Sequence, residues 1–187
     1  MSRFLLFFII FLPYLGYTQS VQFTKESIPI VDGKIVFNAD FEYDLSKEEY
    51  RKRARSYLND VLNPYSGQFQ SDNDDYMLCR ITDYIELDAS IFQVLGMYMS
   101  YNLKLDYQAG ACRLTIENIK YMEKAYFEAK ERSQRDLNVP EYSGKDIMID
   151  KKYTLMLKKK ASELLTDASL KRINELIANL GAAFAKE

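Results

Sequence analysis

The first regular pattern along the chain is an alternation. Ile35, Phe37, Ala39 and Phe41 are apolar, while Lys34, Asn38, Asp40 and Glu42 are polar, the period of a strand buried on one side. A strand is therefore expected over 34–42. Ser46-Lys47-Glu48-Glu49 then reads as a capping box, and Tyr50, Ala54, Tyr57, Leu58, Val61 and Leu62 recur at helical spacing until Asn63-Pro64 ends the helix. Residues 66–75 are rich in Ser, Gly, Asn and Asp and predict a loop, with room for a short strand at Gln68–Gln70.

Three alternating segments follow: Met77, Cys79, Ile81, Ile85 and Leu87; then Leu95, Met97, Met99, Tyr101, Leu103 and Leu105; then Cys112, Leu114 and Ile116. Turns at Asp88-Ala89-Ser90 and Gln108-Ala109 place Ile81 opposite Met97, Cys79 opposite Met99, Leu103 opposite Leu114 and Tyr101 opposite Ile116, a meander whose register agrees with its pattern. Residues 123–150 are charged and lack a sustained apolar face, so they predict a polar connecting segment, a frayed helix or a long loop. In 151–187, Tyr153–Leu165 and then Leu170, Ile173, Leu176, Ile177, Leu180 and Phe184 have helical spacing, with room for a break at Thr166-Asp167. No repeat and no linker divides the chain, so one domain is expected, with its sheet-and-helix core over 28–122 and the C-terminal helical segment packed on it.

The N-terminus has its own logic. Ser2-Arg3 precedes an apolar run from Phe4 to Leu15, interrupted only by Pro13, and Gly16-Tyr17-Thr18 supplies a small-x-small site. This predicts a signal peptide over 1–18, cleaved after Thr18. The run is shorter than the ~20 residues of a membrane-spanning helix, and no transmembrane segment is expected once it is removed. The expected location is the periplasm, the cell envelope or the extracellular space. Cleavage removes one Arg and no acid, moving the formal charge from −2 to −3. Such a balance does not predict a nucleic-acid partner, which calls for a basic stripe.

Composition narrows the chemistry. The 187 residues include no His, which excludes Ser-His-Asp and Cys-His nucleophiles and His-based zinc or haem sites. No catalytic motif, metal site or cofactor is predicted. Cys79 and Cys112 fall on one face of non-adjacent strands, too far apart for a bridge, and read as buried free thiols.

Three stretches carry a resemblance: Ile28-Pro29-Ile30-Val31-Asp32-Gly33-Lys34-Ile35-Val36-Phe37; Leu103-Lys104-Leu105-Asp106-Tyr107 with Arg113-Leu114-Thr115-Ile116-Glu117-Asn118-Ile119-Lys120-Tyr121; and the tail Lys151–Phe184 with Ile173-Asn174-Glu175-Leu176. Together they resemble a family of exported bacterial proteins, a domain of unknown function with a TATA-box-binding-protein-like (TBP-like) fold. Gln108-Ala109-Gly110-Ala111 stands where that family usually has a Lys-Asp-Gly-Arg type turn. The resemblance implies an α+β domain of order β-α-β-β-β-β-α, a curved antiparallel sheet with helices on one face. It brings no activity and no functional residues, and the fold name does not imply DNA binding.

The remaining candidates are surfaces and clusters. Asp72, Asn73, Asp74 and Asp75 start like a calcium loop but lack its Gly and its closing Glu, and read as a solvated turn. Arg51, Lys52, Arg53 and Arg55 offer a basic helix face for anionic lipid or polysaccharide, against which stands i to i+4 pairing with Glu48 and Glu49. Asp83, the one acid on an apolar strand face, offers a carboxylate hydrolase with an acid from 72–75, a place at the sheet rim, or a Lys or Arg ion pair. In the predicted register Tyr84 faces Val94, Tyr121 covers Gly96, and Tyr98 lies between Arg80 and Ile119. The expected function is a non-enzymatic binding module that engages a protein partner or a second copy through this open sheet face, Tyr84, Val94, Tyr98, Ile119 and Tyr121; the alternative is that residues 123–150 fold back and cover it.

Overall fold

The computed structural model describes residues 21–62, 66–87, 95–133, 139–153 and 159–186. The predicted signal peptide lies outside them, as do Asp88-Ala89-Ser90, Val94 and Asn63-Pro64. An N-terminal arm ends in a 3-10 turn at Lys25–Ser27 and leads to a hairpin of β1 (Ile30–Val31) and β2 (Lys34–Ile35). Asp32 and Gly33 take φ of 49° and 75° at its tip, as a two-residue hairpin turn requires. The chain continues through β3 (Phe37–Glu42), α1 (Lys47–Val61), β4 (Gly67–Asp72), β5 (Tyr76–Leu87), β6 (Leu95–Gln108), β7 (Ala111–Glu123), α2 (Lys124–Ser133), β8 (Tyr142–Ser143), α3 (Gly144–Met148) and α4 (Lys159–Ala185).

The main sheet has the order β3-β7-β6-β5-β4, with β8 on the second half of β7, and every pairing is antiparallel. The β-α-β-β-β-β-α order holds, and β4 is a full strand rather than the brief one expected. Its sequence, Gly-Gln-Phe-Gln-Ser-Asp, offers one large apolar residue, too few for an alternation to be visible.

Each core element forms for the reason its sequence indicates. Phe37, Ala39 and Phe41 are buried while Asn38, Asp40 and Glu42 are exposed. The capping box at Ser46 closes, its Oγ accepting from Glu49 N–H while Glu49 takes the Ser46 N–H. Tyr50, Ala54 and Leu58 form the fully buried stripe of α1. The Tyr50 hydroxyl accepts from Tyr43 N–H at 2.8 Å and lies 3.1 Å from the Tyr43 carbonyl oxygen, tying helix to strand.

Helix α4 is unbroken over 27 residues, ~40 Å at the usual rise, and with α1 and α3 it covers one sheet face. No break occurs at Thr166 because its hydroxyl turns inward to donate to Ser162 O at 2.7 Å, a local bond helices tolerate. Tyr153 lies outside the helix, its N–H and C=O both bonded to Ser162 Oγ. The expected connecting segment carries α2, β8 and α3. These are too short for a periodicity to show, although Ser143 and Asp146 form a second capping box.

Registers depart from expectation by even steps. Ile81 pairs with Tyr101 rather than Met97, and Cys79 with Leu103 rather than Met99. Leu103 pairs with Ile116 rather than Leu114, and Tyr101 sits at an irregularity. The second hairpin turns at Ala109-Gly110, one residue later than expected, with Gly110 at φ 78°. In the first, Leu87 pairs with Leu95, so the connection is longer than a three-residue turn.

An odd step has larger effects. Ser100 pairs with Lys120 and Asn102 with Glu117, so Asn118 and Ile119 together face Tyr101, with Asn118 at φ 56°. This is a β-bulge. The extra residue inverts the facing of the rest of β7, and the core positions pass from Cys112, Leu114 and Ile116 to Ile119 and Tyr121.

Tyr107 is buried at the far end of β6, and among the described residues its hydroxyl has no hydrogen-bond partner. An unpaired buried hydroxyl costs about 1–3 kcal/mol. Tyr107→Phe is expected to raise stability by about 1 kcal/mol, read as a higher denaturant midpoint at unchanged slope.

Candidate functional site

The bulge decides which predicted residues meet. Ile119 and Tyr121 lie on the helix-covered face, 5 % and 0 % exposed. Ile119 packs at the start of α3, and the Tyr121 hydroxyl bonds Ser169 of α4 at 2.8 Å. They are core residues and leave the predicted patch, because strict alternation through β7 ignores the extra residue. Tyr84 and Tyr98 do stand on the other face, paired across β5 and β6 with rings 5.1 Å apart. Their other neighbours come from α2: Phe127 stacks on Tyr98 at 4.0 Å, and Lys124 Nζ lies 5.2 Å from the Tyr84 ring centre. Sequence reading missed Phe127, whose only signal is an apolar residue in a charged segment. Gly96 is covered by an aromatic ring, but by Tyr84 rather than Tyr121: a Cβ there would stand 2.3 Å from the Tyr84 hydroxyl.

Beyond this end, the second face is polar and uncovered by α1, α3 and α4. Arg80, Thr82, Ser100, Asn102, Lys104, Arg113, Thr115 and Glu117 occupy it, exposed or half-buried. Several already have partners: Thr82 with Ser100 at 3.0 Å, and Thr115 and Arg113 with Asn38 and Asp40 of β3 at 2.9 and 2.7 Å.

The basic helix face is occupied. Arg51 donates to Asp72 and Asp74 at 2.7 Å each, and Arg55 pairs with the other Asp72 oxygen while lying over the Phe69 ring. Arg53 donates to Phe184 O at 2.7 Å and to Lys186 O, satisfying carbonyls that the end of α4 leaves free. Lys52 is exposed. All three Arg have long-range partners; of the expected i to i+4 pairs, Glu48–Lys52 and Glu49–Arg53, the second gives way to the α4 carbonyls while Glu49 is held by its capping box.

The acidic loop is the other half of this arrangement. Asn73 Oδ1 accepts the N–H groups of Asp75 and Tyr76, forming the β4–β5 turn, and Asp75 pairs with Lys47 at 2.8 Å. Among the described residues, no group of three or more Cys, Asp and Glu is disposed to hold a metal.

Asp83 takes Arg172 Nε and Nη2 at 3.0 Å each and the Tyr101 hydroxyl at 2.7 Å. Burial first, then Asp83, pushes Tyr101 ionisation well up, and the bond to Asp83 holds Arg172 firmly charged. Asp72 pairs opposite Met77, six strand positions from Asp83, or roughly 20 Å. Paired-carboxylate hydrolysis needs roughly 5–9.5 Å, so the loop and Asp83 do not form that site. A Thr-Lys pair fares no better. Lys151 Nζ lies 3.3 Å from Thr166 Oγ1, and burial lowers the Lys151 pKa, but Thr166 is fully buried and donates to Ser162.

Cys79 and Cys112 are free and buried, and burial pushes each thiol up to about 12. At pH 8 both are expected to resist iodoacetamide in the folded protein and to react in denaturant, which mass spectrometry would read. Asp83→Ala leaves Arg172 half-buried without its partner and is expected to cost about 3 kcal/mol, whereas Asp83→Leu with Arg172→Met should recover most of the loss. A double-mutant cycle in urea checks this.

No family model matches the chain, and no curated protein does. Two solved structures are similar to it. A DUF4468 family protein from Bacteroides ovatus superposes with a TM-score of 0.67 at 14% identity, covering 86% of this chain and 91% of its own. A TBP-like protein from Parabacteroides distasonis superposes with a TM-score of 0.63 at 15% identity, covering 84% and 96%. At these identities the likeness establishes a fold: this chain is an α+β domain of TBP-like architecture, built as the bacterial proteins of unknown function it resembles.

Proposed function

We propose that the protein is an exported, non-enzymatic binding module of the bacterial cell envelope, which holds a protein partner on the uncovered face of its sheet. The observation that carries this reading is the one-sided covering of the sheet. Helices α1, α3 and α4 pack on a single face, which leaves the middle strands of the other side bordered by the α2 aromatics. That side is mixed in charge, with Arg80, Lys104 and Arg113 among Asp40, Asp106 and Glu117. Interspersed charge suits a protein surface better than a polyanion, since complementary pairs set register and reject wrong partners. Export is supported by the short basic start, apolar run and small-residue site of residues 1–18.

Because Tyr98 carries Phe127, the test is best placed on sheet-face residues away from α2. Cross-linking in intact cells, with fractionation, should recover the protein in the envelope joined to a partner. Arg80→Glu with Asn102→Lys should abolish that capture while leaving the melting temperature within a few degrees. Undiminished capture by the double variant removes the sheet face from the proposal, and recovery in the cytoplasm removes export.

A further inference from the structure

Residues Val21–Ser27 belong to none of the sheet strands. They lie against α4, held there by side chains. Phe23 N–H donates to Asn174 Oδ1 at 2.9 Å, and Asn174 Nδ2 donates back to Phe23 O at 2.9 Å. One carboxamide thus reads both main-chain groups of one residue, as a neighbouring strand would. The Phe23 ring meets Phe37 edge-on at 4.8 Å, and Lys25 Nζ pairs with Asp167 at 2.8 Å. The fit is incomplete: a groove of about 640 Å³ runs between the arm and Leu170, Lys171, Asn174 and Ala178, and Val21 is 41 % exposed.

The arm joins the body through Ile28-Pro29. Proline fixes its own φ and holds the preceding residue extended, and Ile28 accordingly has φ −67° and ψ 117°. Among the described residues, the first main-chain bond beyond the arm is Val36 N–H to Pro29 O at 3.3 Å. The seat therefore recognises a short segment with an aromatic residue followed, at the start of a 3-10 turn two residues on, by a cation. A stiff hinge presents such a segment.

We propose that two copies of the chain exchange these arms, Phe23 and Lys25 of each docking on Asn174, Phe37 and Asp167 of the other. The complementarity is already realised within one chain, and an exchanged dimer keeps the same contacts. Only the hinge and the association entropy distinguish the two states, the condition under which swapping occurs. A short tether acts at an effective concentration on the order of 1 mM, which sets the range in which the dimer fills. This seat lies away from the uncovered sheet face, so the two proposals fail separately.

The test uses protein purified from cells expressing the full chain, with light scattering after size exclusion from about 10 µM to about 1 mM. Lys25→Glu and Asp167→Lys are exposed changes that each put like charges in the closed seat. Alone, each is expected to stay largely monomeric. Mixed, they place opposite charges in one seat of a heterodimer and the original pair in the other, and the dimer fraction should rise at least tenfold. Asn174→Ala in both copies should remove that gain, with the far-ultraviolet spectrum reporting an intact fold. A mixture that stays monomeric throughout overturns the proposal, as does a synthetic Val21–Ser27 peptide that saturates the seat while the chain alone forms no dimer.

Discussion

The fold depends on covering one long face of an antiparallel sheet with very few helices, and α4 carries most of that task. Leu165, Leu170, Ile173, Leu176, Ile177, Leu180 and Phe184 line its buried side, and apolar stripes of this kind pack well in more than one position along a helix. The Asp83–Arg172 pair removes that freedom. A shift of α4 by one turn would strand a carboxylate among apolar neighbours, a far larger loss than any change in contact area. A charge pair that adds little net stability therefore selects one alignment of helix on sheet.

That alignment places the other helices. Phe184, at the end of α4, meets Phe41 and Tyr50 edge-on at 5.2 and 5.0 Å, where strand and first helix come together. Arg53 closes the same corner through the terminal carbonyls of α4. The acidic turn and the basic helix, each a possible ligand site when viewed alone, neutralise one another through Arg51, Arg55 and Asp72. Within the described residues the strong charges on this side serve the architecture.

Strand faces and helix stripes were legible because each residue's neighbours alone determine them. Phe37, Met77, Met97 and Leu114 are all buried as alternation requires. Registers were less legible, since they depend on connection length, and a step of two or four leaves every side chain on its proper face. The β7 bulge was invisible for a different reason. Asn118 tolerates positive φ, but nothing local distinguishes it from any other polar strand residue. That one residue moved Tyr121 and Ile119, two of the five predicted patch residues, from the expected site into the core. Tyr84 and Tyr98 keep the expected facing because both precede the bulge in the chain, but α2 packs on them. Asp83 was singled out correctly as anomalous, but its partner lies 89 residues away and no local pattern links the two.

The order of the strands also bears on how the chain assembles. The β5–β6 and β6–β7 hairpins form between segments adjacent in the chain, whereas β3 must find β7 across the interval from Phe37 to Ile116. Closing so long a loop costs entropy that only later contacts offset. The meander is the natural first structure, and the β3 edge joins once α1 can dock. Until then the β7 edge stays open over Ala111–Ile116, and the acidic residues of the incoming strand, Asp40 and Glu42, allow it to pair with Arg113 of β7 but disfavour pairing with another β3.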